Sequence, residues 1–532
     1  VFELAEVVEV HIPSHDGVEL HAAEYHPNVT EGERTPVVIQ LSPYLGNLAP
    51  EAQAQHEAYW TELLVSRGYT VVHASVRGTG YSGGCFQLGG PVEIQDAYEL
   101  VEHYHEADWS NGNVSLIGVS YPGTTPWQAA ITNPPGLKTI VPMEGISDMY
   151  RYDHVNGASY THGPAFPTYY TATVDWALVP QNAQGPKHVL PPLEAACPGV
   201  AERIANGWET LASGDHDAFW DERDYEAHLE DIEVPVFLVH GFQDWNVDPD
   251  NGVPIFERLP EGSKAWLGQW AHNYPFANSY NEEWERHDWN ATLVAWFDEH
   301  LKGKDTGIME EPAVLAQTSR GSWHRSDTWP PQEVTREVAY LTTDGLSLEP
   351  GEEEEVSMGP HVPSEQVGFP GLGDAISPQQ LTFTSERFQE DTVIVGQPTL
   401  TLNVSLDQPD GHLVATLYDP DAEGGPSSPS WLGHAILNLA HRESRDAGEP
   451  MPEGSFEQVT LTFFPMDVEI PAGHRLQLVL TPEADGWIHP SPYAPTYTFQ
   501  LGGDAPATFT FDVLDDPVFE QAPIQGSVPW SE

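Results

Sequence analysis

Positive charge is scarce in this sequence. Lysine and arginine number 20 of 532 residues against 81 aspartates and glutamates, a formal net charge of −61. Such a surface repels phosphate backbones and anionic bilayers, so neither nucleic acid nor membrane is expected as a partner. Cysteine is nearly absent, with only Cys85 and Cys197. Two thiols cannot build a four-cysteine zinc site, and no His-Glu-x-x-His occurs among the 24 histidines. No metal or other cofactor is therefore expected. The two thiols are either one disulfide, which would fit an exported protein, or two buried groups. No apolar run approaches the ~20 residues that span a bilayer. A chain beginning at Val1 reads as one from which a leader or a tag has been removed, and no signal peptide is visible in the sequence. The nearest thing to a calcium loop, Asp419-Pro-Asp-Ala-Glu-Gly424, has Ser430 where the closing glutamate belongs.

What is present in quantity is acid and aromatic surface. At ordinary ionic strength the acids repel one another and weaken a compact state. At ~1 M salt the Debye length is only ~3 Å, and most of that repulsion vanishes. The composition reads as adaptation to a high-salt medium, with divalent-cation binding as the alternative. Hydrophobic residues at 39%, with 17 Trp and 20 Tyr, are ample for real cores. The length implies two or three domains, and leaves the oligomeric state open, a homodimer included.

Along the chain, Val7–Ile12 and Val18–Tyr25 read as a hairpin turning at Asp16-Gly17, followed by buried strands at 36–41 and 69–76. Helical spacing appears at 52–66 and 91–107, and further strands at 114–117, 139–143, 234–240 and 264–268. Strands alternating with helices indicate an α/β fold with a mostly parallel sheet. Residues 145–230 interrupt it with an aromatic-rich segment, helical near 199–212 and 215–229, which reads as a cap between core halves 1–144 and 231–305. From 306 to 532 short alternating strands without helices predict an all-β sandwich, a jelly roll.

Between the strand at 114–117 and the helix beginning near Thr124 stands Gly118-Val-Ser-Tyr-Pro-Gly123. A serine among small residues on a tight strand-to-helix turn is the layout of a nucleophile elbow, although Gly-x-Ser-x-Gly would put glycine at 122, where this chain has Pro. A free hydroxyl is a poor nucleophile, so Ser120 needs a base and the base an orienting acid. Downstream, in the order acid then histidine, Asp244 follows the strand ending at His240, and His272 follows the strand at 264–268. Asp248 is a rival acid. The oxyanion of acyl transfer needs two donors. The amide of Tyr121 is one, and Tyr44, after the first buried strand, can supply its hydroxyl as the other or simply pack its ring.

Gly118–Gly123, Trp127-Gln-Ala-Ala130, Arg77-Gly-Thr-Gly80 and Trp109-Ser-Asn-Gly-Asn-Val114 together resemble the Xaa-Pro dipeptidyl-peptidase and cocaine-esterase family of serine hydrolases. That family's elbow is Gly-x-Ser-Tyr-x-Gly, which accounts for the displaced glycine. The resemblance implies an α/β-hydrolase core, an inserted helical cap and a C-terminal jelly roll. It also implies Ser120 as nucleophile, Asp244 as acid, His272 as base, and Tyr44 with the Tyr121 amide as oxyanion hole. His240-Gly-Phe-Gln-Asp-Trp-Asn-Val247 and Gly268-Gln-Trp-Ala-His272 sit closer to the peptidases, so the expected substrate is a peptide with proline second, and a small ester is the alternative. A dead hydrolase that binds carbohydrate or a cell surface through its jelly roll is the reading from another class. A dipeptidyl-peptidase must hold an α-ammonium and a proline ring. Glu144, Asp148 and Asp153 are candidates for the first, and Trp127, Trp245 and Tyr121 for the second.

Overall fold

A computed structural model describes residues 1–44, 50–161, 195, 197, 198, 213–276, 284–361, 379–422, 430–484 and 486–520. The hairpin is β1 (Leu4–Pro13) and β2 (Glu19–Pro27), and the buried apolar runs become β3 (Thr35–Ser42), β4 (Thr70–Ser75), β5 (Ser110–Val119) and β6 (Leu137–Met143). Helices α1 (Pro50–Leu63), α2 (Pro91–Glu106) and α3 (Tyr121–Ala130) fall between these strands. After β6 come a single turn, α4 (Met149–Asp153), and a two-residue ribbon, β7 (His154–Val155) with β8 (Ala158–Ser159). The sheet resumes with β9 (Phe237–Gly241) and β10 (Lys264–Gly268), and α5 (Trp289–Lys302) closes that stretch.

The strands β11 (Val314–Gln317) and β12 (Trp323–Ser326) complete one mixed ten-stranded sheet, ordered β1-β2-β4-β3-β5-β6-β9-β10-β11-β12. From β4 across to β11 every pair of neighbours is parallel, which forces each connection across a face. Both faces are consequently buried. Leu100, Tyr104 and Trp127 of α2 and α3 pack one side, and Trp60, Trp289, Trp296 and Phe297 of α1 and α5 the other. The expected boundary at 306 falls before β11 and β12. They lie beyond it yet belong to the core sheet, where they cover the edge that β10 would otherwise expose.

Of the inserted segment, the helix expected near 199–212 lies outside the described residues. The one expected over 215–229 is instead a helical turn, Ala218–Asp221, and a 3-10 turn, Tyr225–Asp231. The acids break it: Asp217 and Asp224 each turn a carboxylate onto a backbone amide, of Phe219 and of Ala227, and start a new turn. Cys85 and Cys197 are joined as a disulfide, tying the glycine-rich turn after β4 to the insertion.

The C-terminal domain is antiparallel. One sheet runs β14 (Gly345–Ser347), β13 (Val334–Thr342), β24 (Thr508–Leu514), β17 (Thr392–Leu406), β23 (Tyr497–Leu501), β15 (Glu354–Met358), with β20 (Glu457–Thr462) and β21 (Met466–Ile470) also paired to β17. The second is β16 (Leu381–Thr384), β22 (Gln477–Thr481), β18 (His412–Tyr418), β19 (Trp431–Asn438). Leu400, Leu402, Leu417, Phe499 and Phe509 fill the core of this domain. The first aspartate of the calcium-like loop is turned inward instead: Asp419 is fully buried and its Oδ2 meets Arg320 Nη2 at 3.0 Å and His474 Nδ1 at 2.8 Å.

Several of the few arginines are drawn inside in the same way. Arg77, Arg223 and Arg286 are each at most 3% exposed, Arg77 gripping Asp96 through Nε at 2.5 Å and Nη2 at 2.6 Å. Acids on the surface are left with few cationic neighbours. The melting temperature is expected to climb by well over 10 °C between ~0.1 and ~2 M NaCl, as screening removes their repulsion. A salt-independent melting curve would remove the case for a high-salt habitat.

Candidate active site

Four strands that are neighbours in the sheet, β5, β6, β9 and β10, deliver Ser120, Glu144, Asp244 and His272 at or just beyond their C-terminal ends. That edge of an open parallel sheet is where ligands bind. Ser120 is held at φ 69°, ψ −133°, a conformation that a residue with a Cβ adopts only when its surroundings impose it. The imposing contacts are local. Ser120 N donates to Met143 O at 3.1 Å, while Gly123 N and Thr124 N close on Ser120 O at 2.8 and 3.0 Å. A Cβ on Gly123 would strike the Met143 carbonyl, and one on Gly118 would strike Pro122. Glycine is therefore required at 118 and 123, and Pro122 fits the first turn of α3, where no amide hydrogen is needed.

His272 Nδ1 is 2.7 Å from Asp244 Oδ2. The other Asp244 oxygen accepts the amides of Asn246 and Val247 at 2.9 and 3.0 Å, which fixes the carboxylate toward the imidazole. Phe242 N donates to Gly268 O and Gln243 N to Trp270 O, so the two loops are bonded directly to each other. Burial alone would lower the proton affinity of His272, but the charge and hydrogen bond of Asp244 together outweigh it and the imidazole pKa is raised. A base role for the neutral imidazole would be lost as pH falls through that raised value. The acid limb of kcat/KM is expected above the ordinary ~6.5 of histidine, and a limb below 6 would contradict this geometry.

Asp248, the rival acid, lies four residues further on. It is buried, and burial together with the charge of Asp250 raises its pKa well above the usual carboxylate range. The carboxylate that meets the imidazole is Asp244.

Tyr44 is half-buried after β3 and packs against the main core, its amide donating to Ser42 Oγ at 3.1 Å. Tyr121 opens α3 with its ring fully buried and its hydroxyl 2.5 Å from Glu93 Oε2. Glu93 also accepts the amides of Gln87 and Gly89 at 2.5 and 2.9 Å, tying the Tyr121 ring to the segment before α2. No motif in the sequence marked Glu93, because its partners are two backbone amides and a hydroxyl 28 residues away.

The residues expected to bind substrate scatter. Trp127 is 1% exposed within the main core, so its ring is packing and not a pocket wall. Glu144 is fully buried and stands 3.6 Å from His272 Nδ1, on the Asp244 side of the ring, which is no position for a substrate ammonium. Asp148 caps α4 and pairs with Arg445 at 2.9 Å. Asp153 is buried with Oδ1 unpartnered, and burial pushes its pKa up to about 8. It neighbours Tyr152, whose hydroxyl meets Asn246 Oδ1 at 3.2 Å. Trp245 is half-buried and meets Trp431, His434 and Trp487 of the C-terminal domain at ring separations of 4.6, 5.3 and 5.5 Å. That domain thus reaches the residue next to Asp244.

Residues 16–274 match the X-Pro dipeptidyl-peptidase (S15) family, and residues 306–513 match the X-Pro dipeptidyl-peptidase C-terminal non-catalytic domain. The chain belongs to the S15 family of serine hydrolases. It is 28% identical over 501 residues to a Bacillus anthracis protein provisionally named Xaa-Pro dipeptidyl-peptidase, covering 85% of this chain and 78% of that one. The Xaa-Pro dipeptidyl-peptidase of Ligilactobacillus salivarius is 24% identical over 86% of this chain and 63% of its own length. Among solved structures, an α-amino acid ester hydrolase shares the fold with a TM-score of 0.75 at 21% identity, covering 96% of both chains. A CocE/NonD family hydrolase of Staphylococcus aureus shares it at 0.75 and 20% identity, over 96% of this chain and 93% of that one. S15 membership thus places the chain among peptidases and ester hydrolases alike.

Proposed function

We propose that Ser120 is the nucleophile, His272 its general base and Asp244 the acid that orients the imidazole. We further propose that the enzyme removes N-terminal dipeptides with proline second. The observation that carries the chemistry is the strained Ser120 on the same sheet edge as the bonded Asp244–His272 pair. With Nδ1–H directed to Asp244, His272 Nε2 is the atom left to take the Ser120 proton as Oγ attacks the scissile carbonyl. The oxyanion is assigned to the Tyr121 amide and the Tyr44 hydroxyl. His272 then gives its proton to the leaving amine, the acyl-enzyme forms, and water repeats the cycle. The Ser120 Oγ–acyl bond made in the first half is the bond broken in the second.

Asp153 takes the place that Glu144 cannot fill. A buried carboxyl with an unpartnered oxygen, close to Tyr152 and the acid loop, suits a substrate ammonium, whose charge would draw it into the ionised form. Trp245 is the aromatic wall assigned to the proline ring. The C-terminal domain is read as a jelly roll whose part is to hold this wall in place.

The second reading, an ester hydrolase, draws on the same residue. Asp153 is only 1% exposed, and an ester substrate would need no carboxylate there. The binding-protein reading would use a groove of about 1060 Å³ in the C-terminal domain, beside Leu346, Arg387, Phe388 and Phe511, which holds no member of the triad. At molar salt, kcat/KM for an Ala-Pro anilide is expected to exceed that for Ala-Ala anilide at least a hundredfold. Rapid cleavage of a short-chain aryl ester beside negligible anilide turnover would establish the esterase instead.

A further inference from the structure

Glu144 is a buried carboxyl that the mechanism above does not use. It directly follows β6, the strand between those of Ser120 and Asp244, and its amide is fixed to Val239 O at 2.9 Å. Its backbone sits at φ 48°, in the left-handed region that disfavours any residue with a Cβ. The carboxyl has no solvent exposure and lies 3.6 Å from His272 Nδ1, the same nitrogen that Asp244 holds at 2.7 Å. Ligating atoms of the three side chains all fall within 4.8 Å of one another. Neither Glu144 oxygen makes a hydrogen bond of ordinary geometry. The Trp270 indole and the Asn273 amide face it from the β10 loop, with Tyr274 beside them, and Asp244 faces it from the β9 loop. His272 is the only basic side chain among these neighbours.

Two carboxylates crowded against one half-buried imidazole disfavour each other's charge. Burial, then the charge of Asp244, holds the Glu144 pKa well above the usual carboxylate range, so of the two carboxyls Glu144 is the one whose surroundings favour the protonated form. Removing the Asp244 charge leaves only the burial cost, against which an imidazolium now stands as an available counter-charge.

We propose that Glu144 is a reserve carboxyl for His272, a positioning residue that takes over the Nδ1–H when Asp244 is neutralised. The step is small. Glu144 loses its proton to solvent, and a shift of under about 1 Å brings an oxygen into hydrogen-bond range of Nδ1. This deepens the serine-hydrolase reading and rests on it.

The test compares kcat/KM across pH for the full chain carrying Glu144→Gln, Asp244→Asn or both. Replacing the acid of a triad that has no second carboxyl costs about 10⁴-fold, because the imidazole settles in the wrong tautomer. Here Asp244→Asn is expected to cost about 10²-fold, with residual activity rising toward alkaline pH as Glu144 ionises. The added Glu144→Gln should cost at least tenfold more in that background than beside an intact Asp244, and should flatten the alkaline rise. A downfield Nδ1–H proton resonance should survive in the single Asp244 variant and disappear in the double. Equal cost of Glu144→Gln in both backgrounds, or no pH dependence of the residual rate, overturns the proposal. Asn keeps an oxygen for the Asn246 and Val247 amides; should it not fold, Asp244→Ala is read the same way. If instead Ser120→Ala retains the activity, the parent reading has failed and the reserve role falls with it.

Discussion

Replacing Ser120 with alanine is expected to lower kcat by about 10⁶-fold, for ester and anilide alike, and to abolish labelling by a fluorophosphonate. The size of the effect follows from the triad acting as a unit: without the nucleophile, base and acid have nothing to activate, and only binding and the oxyanion hole remain. The substitution is also clean. Ser120 already carries its Cβ at φ 69°, so alanine adds no strain, and the turn is held by backbone bonds from Ser120 N to Met143 and from Gly123 and Thr124 to Ser120 O. The melting temperature should stay within about 2 °C of the parent. A variant that folds and keeps more than 1% of kcat would show that Ser120 is not the nucleophile.

Tyr44→Phe is expected to reduce kcat by about 10²–10³-fold with KM changed less than threefold. One hydroxyl is removed, and its loss withdraws about 2.7–4 kcal/mol of transition-state stabilisation, the range for a single oxyanion donor. The ring remains, and it is the ring that packs against the core beside β3, so folding should be almost unaffected. A kcat within threefold of the parent would make Tyr44 a packing residue and leave the second donor to be found elsewhere. The split between kcat and KM is informative because the oxyanion exists only on the way to and from the acyl-enzyme.

How far each site residue could be read from the chain depends on how local its constraint is. Gly118 and Gly123 could be found because the elbow is a short-range steric problem: the atoms they would strike belong to Pro122 and Met143, and the first is only four residues away. Asp244 and His272 were accessible because each sits just after an apolar run, and the order of acid and histidine is a property of the chain. Trp127 could not be judged in this way. Whether an indole on α3 lines a pocket or fills the core depends on which face of the helix meets the sheet, and here it is buried at 1% exposure. Tyr121 divides between the two cases, its amide placed by the turn and its ring by Glu93, a partner 28 residues away.

By itself the sequence determined the α/β rhythm, the serine turn, the order of its partners and the excess of acid, since all of these are properties of residue type and spacing. Tertiary structure alone decided that β11 and β12 join the core sheet, that Cys85 meets Cys197, and that Trp245 packs on the C-terminal domain. It also moved Glu144 from the substrate to the back of the imidazole. That placement follows from strand order, β5-β6-β9-β10, which sets the ends of four strands side by side although their residues span 120 to 272. Burial then raises the pKa of an ordinary acid, and burial is a property of the folded chain.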